Sequence, residues 1–161
     1  MYRIGIDLGG TKVAAAMIDD NNVITNKLSA PTEPEKGNDN VPKVIAELAL
    51  RLCEDAGIKP ADVSVMGIAS PGAINGETGY IERVHNLMME HYPLVEKVRA
   101  LTGIDNIKIE NDANAAALGE AVAGAAKGAA CSVMITLGTG VGGGFVIDGS
   151  FRLEPRGGIF L

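Results

Sequence analysis

The chain has 161 residues, 47% of them apolar, enough for one ordinary core and too few for two full domains of typical size. Fourteen Lys and Arg against twenty Asp and Glu leave a net charge of −6, and no two basic residues are adjacent. This excludes a nucleic-acid surface, because neutralising a row of phosphates takes clustered cations. Met1-Tyr2-Arg3 is not followed by the apolar segment of a signal peptide, and no apolar stretch reaches spanning length without glycine or polar interruption. No membrane association is expected. Cys53 and Cys131 have neither CxxC spacing nor neighbouring histidines, and are expected as reduced core cysteines of a cytoplasmic protein.

In chain order, Tyr2–Leu8, Val13–Ile18 and Val23–Leu28 read as three short strands. Gly9-Gly10 and Asp19-Asp20-Asn21-Asn22 separate them, which predicts an antiparallel meander. Residues 30–40, polar with two prolines, read as a loop. Val44, Ile45, Leu48, Leu52 and Ala56 recur at helical spacing, predicting a helix over Val41–Ala56 that Gly57 terminates. Val63–Ala69 reads as a buried strand running into Ser70-Pro71-Gly72, and residues 73–86 show no period. Leu94–Leu101 reads as a helix ended by Gly103, Ile107–Ile109 as a strand, and Ala113–Ala123 as a helix of small residues. Cys131–Leu137 is a predicted strand, GTGVGGG a turn, and Phe145–Ile147 the start of another strand. Three antiparallel strands followed by alternating helix and strand predict an α/β fold with a mixed sheet.

The chain repeats itself. IDLGGTKVAAAMID (6–19) lies over ITLGTGVGGGFVID (135–148) without a gap, matching Ile6/Ile135, Leu8/Leu137, Gly9/Gly138, Ile18/Ile147 and Asp19/Asp148. A structural duplication of a strand, glycine turn, strand unit explains this better than two accidental hairpins. Gly138, Gly140 and Gly143 also satisfy G-x-G-x-x-G, but strand-like GFVID follows where a dinucleotide site needs a helix. No Gly-Lys-Ser/Thr follows a glycine loop, so the Walker pattern is absent too.

Paired glycine hairpins suit phosphate, since glycine lets backbone N–H groups approach an anion with no Cβ in the way. Thr11 and Thr139 would add hydroxyl donors. Asp7 closes an apolar strand, looks buried, and would offer a carboxylate to Mg²⁺ through water, since Mg²⁺ keeps most of its hydration. Plain readings stand beside these: Asp7 as a strand-end turn residue, Lys12 as a solvated side chain. In ENDANAAALGE (110–120), a helix cap explains either Asn111 or Asp112, but not the whole acidic and amide cluster.

DLGGTK, SPG, HNL, ENDANAAALGE and LGTGVGGG, in this order and spacing, resemble the ROK family of sugar kinases and sugar-responsive repressors, over residues 3 to about 151. The resemblance implies an actin-like ATPase (ribonuclease H-like) fold, with residues 1–112 as a first lobe and 113–161 as the truncated start of a second. It implies ATP, held by Asp7, Gly9, Gly10, Thr11 and Lys12 in one hairpin and Gly138, Thr139, Gly140, Val141 and Gly142 in the other, with Mg²⁺ at Asp7. It implies Asp112 as the catalytic base toward a sugar hydroxyl, Asn111 as a partner of neighbouring hydroxyls, and Gly72 and Asn86 at the sugar-pocket rim. His85 and His91 read as surface or packing residues.

The family continues past this point with a Gly-Glu-x-Gly-His segment and a cysteine-rich zinc motif. Here Arg152-Leu153-Glu154-Pro155-Arg156 stands instead, so zinc is not assignable and the tail reads as a truncation or frame change. The expectation is an ATP-dependent hexose or hexosamine kinase, present as an incomplete portion. The alternative is a non-catalytic sugar-binding or regulatory member; a repressor would need a helix-turn-helix ahead of the first strand, and Met1 lies too close to Ile4 for that. A homodimer through residues 130–161 is expected. Gly10→Val is expected to weaken ATP binding and largely spare sugar binding.

Overall fold

The computed structural model describes residues 1–137, 141–147 and 150–151, with only the main chain at 141, 150 and 151. The chain divides into two units, Met1–Glu110 and Asn111–Leu161, each described by itself.

In the first unit, β1 (Tyr2–Leu8), β2 (Lys12–Ile18) and β3 (Ile24–Pro31) form the expected antiparallel meander, with Leu8 opposite Val13 and Lys12 opposite Pro31. The β2–β3 turn is closed by the Asp19 carboxylate, whose Oδ1 accepts the N–H groups of Asn21 (2.8 Å) and Val23 (2.9 Å). Those bonds, Val23's foremost, hold the Asp19 carboxyl below its ordinary range. β4 (Val63–Ser70) adds to the other edge of β1 in parallel, and β8 (Ile107–Asn111) follows, giving the order β3-β2-β1-β4-β8. The sheet is therefore mixed.

Helix α1 (Asn40–Asp55) buries Val41, Val44, Ile45, Leu48, Ala49 and Leu52, the stripe that a 3.6-residue period puts on one face. Helix α2 (Leu94–Thr102) buries Leu94, Val95 and Val98. With Ile4, Leu8, Met17, Met66 and Ile68 of the sheet they form one apolar cluster. Asp39 precedes α1 without capping it; its Oδ1 accepts the Tyr92 hydroxyl at 2.6 Å and lies 3.2 Å from Lys97 Nζ. The same two contacts, led by the tyrosine's, hold the Asp39 carboxyl low, while burial first and Asp39 second push the Tyr92 hydroxyl up.

Three expectations fail here. The loop over 30–40 is shorter than predicted, since β3 runs to Pro31 and a 3₁₀ turn occupies Pro34–Lys36. The stretch without a period holds most of a second antiparallel sheet, β5 (Ala73–Asn75), β6 (Tyr80–Val84) and β7 (Met89–Tyr92), in that order. Strands of three to five residues are too short to display an alternation, although Ile81, Val84, Met89 and Tyr92 are all buried. Of the two cysteines, both free, only Cys53 is in the core, where burial pushes its thiol pKa up; Cys131 is exposed.

The second unit holds α3 (Asp112–Ala123), β9 (Cys131–Leu137), β10 (Val141–Ile147) and β11 (Ser150–Phe151), the strands ordered β11-β10-β9. Four of the seven residues of the predicted glycine turn are strand, because Val141–Gly144 already pair with β9. Leu137 faces Val141 here, whereas Leu8 faces Val13 in the first hairpin, so the two repeats differ by one residue in register. The consequence is a change of face. Ile4, Ile6 and Leu8 of β1 are buried; their counterparts Val133, Ile135 and Leu137 are 61%, 66% and 81% exposed, in a row with Phe145 and Ile147. The other face of the ribbon packs on α3: a Cβ on Gly144 would lie 2.6 Å from Ala117 Cβ.

Helix α1 supplies an internal comparison. Leu52→Ala removes a fully buried side chain and should destabilise the chain by about 2–5 kcal/mol. Leu50→Ala, at a side chain 37% exposed, should stay within about 0.5 kcal/mol, both read from urea unfolding midpoints.

Candidate active site

In the first unit the candidate residues gather around the carboxyl ends of β1 and β4. Asp7 pairs with Ala14 on one side and Ala69 on the other, so the turn after β1 and the Ser70-Pro71-Gly72 turn after β4 begin side by side. Strand alternation sends Ile4, Ile6 and Leu8 inward and Asp7 outward, and its carboxylate is exposed rather than buried. The glycine turn is closed by the Gly9 N–H donating to the Lys12 carbonyl at 2.9 Å, with the Thr11 and Lys12 side chains exposed.

Gly72 has φ of 86°, a left-handed conformation that only glycine adopts without strain, and a Cβ there would come within 2.5 Å of the Arg83 carbonyl oxygen and Val84 Cγ2. The SPG turn is thereby pressed onto β6. Asn86 follows β6 in a turn closed by the Met88 N–H donating to the His85 carbonyl at 3.1 Å, and buried Leu87 pins that turn. The Asn86 amide lies over the first glycine turn: a Cβ on Gly10 would be 2.8 Å from Asn86 Nδ2. The phosphate-turn and sugar-rim candidates of this unit are thus neighbours. A side chain at position 10 displaces Asn86 as well as crowding an anion.

His85 is exposed, and His91, also exposed, has Nδ1 3.3 Å from Glu82 Oε2 and its ring centroid 4.9 Å from that of Tyr80. Thr32 is fully buried, and its Oγ1 donates to the Gly9 carbonyl at 2.7 Å. One threonine among loop-forming prolines and acids carries no signal of that role.

In the second unit, Asn111 and Asp112 divide two tasks. Asn111 is the N-cap of α3, with extended φ and ψ of −62° and 143°, and its Oδ1 accepts the N–H groups of Ala113 (3.0 Å) and Asn114 (3.3 Å). Asp112 is the first helical residue and is exposed, its Oδ1 accepting the Ala113 N–H at 2.8 Å. A carboxylate at a helix N-terminus is electrostatically well placed. Val141 and Gly142 lie in β10, and Gly138, Thr139 and Gly140 fall outside the described residues.

A mixed sheet with a glycine turn after its central strand, and a helix opening on Asn-Asp, define an α/β unit of the actin-like ATPase fold. The sequence model of the ROK family matches residues 3–158, and the chain belongs to that family. The match runs past Phe151, where the sequence alone suggested that the resemblance stops. The chain is 38% identical to the glucokinase of Streptomyces coelicolor over 151 residues, 92% of this chain and 44% of that protein. It is 38% identical to the N-acetylmannosamine kinase of Salmonella typhimurium over 162 aligned residues, 99% of this chain and 52% of that protein. The crystal structure of a ROK family glucokinase from Streptomyces griseus in complex with glucose and AMPPNP superposes with a TM-score of 0.86 at 33% identity, covering 99% of this chain and 49% of that one. The chain spans about half the length of the curated relatives it matches.

The two glycines respond differently to a methyl group. Gly72→Ala should destabilise by about 1–3 kcal/mol from its conformation alone, and more from the Arg83 clash. Gly10→Ala has only the end of a flexible amide to move, so its unfolding midpoint should stay close to the parent's while the Asn86 side-chain amide resonances shift. Thermal unfolding and ¹⁵N spectra check both.

Proposed function

We propose that this chain carries the sugar-facing lobe and the opening of the second lobe of an ATP-dependent sugar kinase, which moves the γ-phosphoryl group of ATP onto a hydroxyl of a hexose or hexosamine. Residues 1–112 are the first lobe in this reading and 113–161 the start of the second. The observation that carries it is the Asn86 amide lying on Gly10, since phosphoryl transfer depends on holding two substrates in reach of each other. The likeness to glucokinases and an N-acetylmannosamine kinase supports the substrate class and leaves the particular sugar open.

In this reading Asp112 accepts the proton of the attacking hydroxyl, the hydroxyl oxygen bonds to the γ-phosphorus, and ADP leaves. The exposed position of Asp112 suits that task, while Asn111 fixes the helix start that carries it. Asn111 also borders the sugar, and Gly72 and Asn86 form the rim. The backbone of Gly9, Gly10, Thr11 and Lys12, with that of Gly138, Thr139, Gly140, Val141 and Gly142, takes the phosphates. Among the described residues no cluster of three His, Cys, Asp or Glu side chains is present, and a lone exposed carboxylate such as Asp7 fits Mg²⁺, which takes few protein ligands. When bound there through water, the ion supplies charge neutralisation on the phosphates. No described helix is long and apolar enough to cross a membrane, and use of ATP together with two free cysteines supports a cytoplasmic setting.

The second reading is a non-catalytic sugar-binding member of the family. A coupled ADP-release assay on a polypeptide carrying both lobes, with glucose, fructose, allose and N-acetylmannosamine, separates the two. Asp112→Asn in that polypeptide should lower kcat by about 10²–10⁴-fold and change sugar affinity far less. Wild-type sugar binding without sugar-dependent ADP release would favour the second reading.

For the 161-residue chain by itself we expect no turnover and self-association through the outer face of β9 and β10, where Val133, Ile135, Leu137, Phe145 and Ile147 stand exposed. Size-exclusion chromatography with light scattering should return a dimer, and Ile135→Lys should return a monomer. A monomeric parent chain would remove the homodimer.

A further inference from the structure

The peptide joining Gly9 to Gly10 is flanked by the two residues least able to restrain it. Glycine on both sides leaves the plane nearly free to turn over, and its N–H and C=O would then exchange directions. In this structure it is held. Thr32 Oγ1 donates to the Gly9 carbonyl at 2.7 Å, and the Thr32 N–H donates to the Thr11 carbonyl at 3.0 Å. The Lys12 carbonyl is taken up by the Gly9 N–H. Three carbonyls of the turn are thereby engaged within the hairpin and its buttress.

In a trans peptide the N–H points opposite to the C=O. With the Gly9 carbonyl tied to Thr32, the Gly10 N–H projects away from Thr32, and among the described residues no acceptor meets it. Thr32 is 0% exposed, so its hydroxyl has no water to fall back on if the bond is lost. It is itself anchored: Asn40 Nδ2 donates to the carbonyls of Thr32 and Glu33, both at 3.2 Å.

We infer that Thr32 is a positioning residue for phosphate binding: its hydroxyl locks the Gly9–Gly10 peptide in the one orientation that presents the Gly10 N–H to an anion. The inference rests on the phosphate reading of this turn, and it adds a residue from outside the motif. A flipped peptide would present a carbonyl oxygen, which repels a phosphate. The turn's glycines supply access, and Thr32 supplies the direction.

The test uses the 161-residue chain with inorganic triphosphate as probe, measured by isothermal titration, and the Gly10 amide resonance as a second readout. Thr32→Val keeps the shape and removes the donor; it should weaken triphosphate binding by about tenfold and broaden or split the Gly10 amide signal. Thr32→Ser keeps the donor and should stay within about threefold of the parent, with a single Gly10 signal. Equal affinity in Thr32→Val and parent would overturn the inference, as would a Thr32→Ser variant weakened as much as Thr32→Val. Should the parent bind no triphosphate, the phosphate reading of this turn fails in this chain, and the amide signal alone decides the lock: a sharp, unshifted Gly10 resonance in Thr32→Val overturns it. If Thr32→Val does not fold, Asn40→Ala loosens the same buttress one bond away. It should weaken triphosphate binding by a few-fold; unchanged affinity and an unchanged Gly10 signal would count against the lock.

Discussion

Strand β1 is hydrogen-bonded along both edges, antiparallel to β2 and parallel to β4, and the rest of the first unit depends on that double pairing. A strand held on both sides cannot slip by a residue without turning Ile4, Ile6 and Leu8 out of the core and Asp7 into it. Its end point is therefore fixed, and so is the start of the glycine turn. In open α/β sheets ligands collect beyond the carboxyl ends of the strands. Here the ends of β1 and β4 are neighbours, and both are followed by turns in which a Cβ would collide with something. The Gly72 turn is pressed against β6, and β6 leads directly to Asn86, which returns to Gly10. The site on this unit is a closed circuit of short contacts hung from one strand.

The second unit solves a related problem with a helix. An extended Asn111 ends β8 and caps α3 in the same residue, so strand and helix join with no loop between them. The side chain that does the capping is buried and the next one is exposed. Adjacent residues of different type thus stand in different settings: a buried amide that caps the helix, and an exposed carboxylate at its first position.

Much of this was legible from the sequence because the signals were long or chemically specific. The α1 stripe from Val41 to Leu52, the Asp19 turn and the meander all follow from periodicity and turn residues. The candidate site was legible as motifs, since Asp7, Gly10, Gly72, Asn86 and Asp112 each belong to a short distinctive string. What escaped had one of two causes. The β5-β6-β7 sheet is made of strands too short to show a period. Thr32 acts through one hydroxyl, and the register difference between the hairpins depends on how many residues the turn absorbs, which an ungapped overlay cannot reveal. The placement of Cys131 on an open face is part of that same register difference.

Two glycines of GTGVGGG answer to a demand of packing. Gly142 and Gly144 sit in β10 on the face that meets α3, where a Cβ on Gly144 would lie 2.6 Å from Ala117 Cβ and 2.9 Å from the Ala113 carbonyl oxygen. Their hydrogen side chains set how near a helix axis can come to a strand, a demand of steric clearance independent of any anion. Alanine on the helix and glycine on the strand are two halves of one fit, so neither can grow unless the seam opens. A glycine-to-alanine exchange at 144, conservative on any scale of polarity, would pry the helix off its strand. It would carry Asp112, at that helix's first turn, along with it.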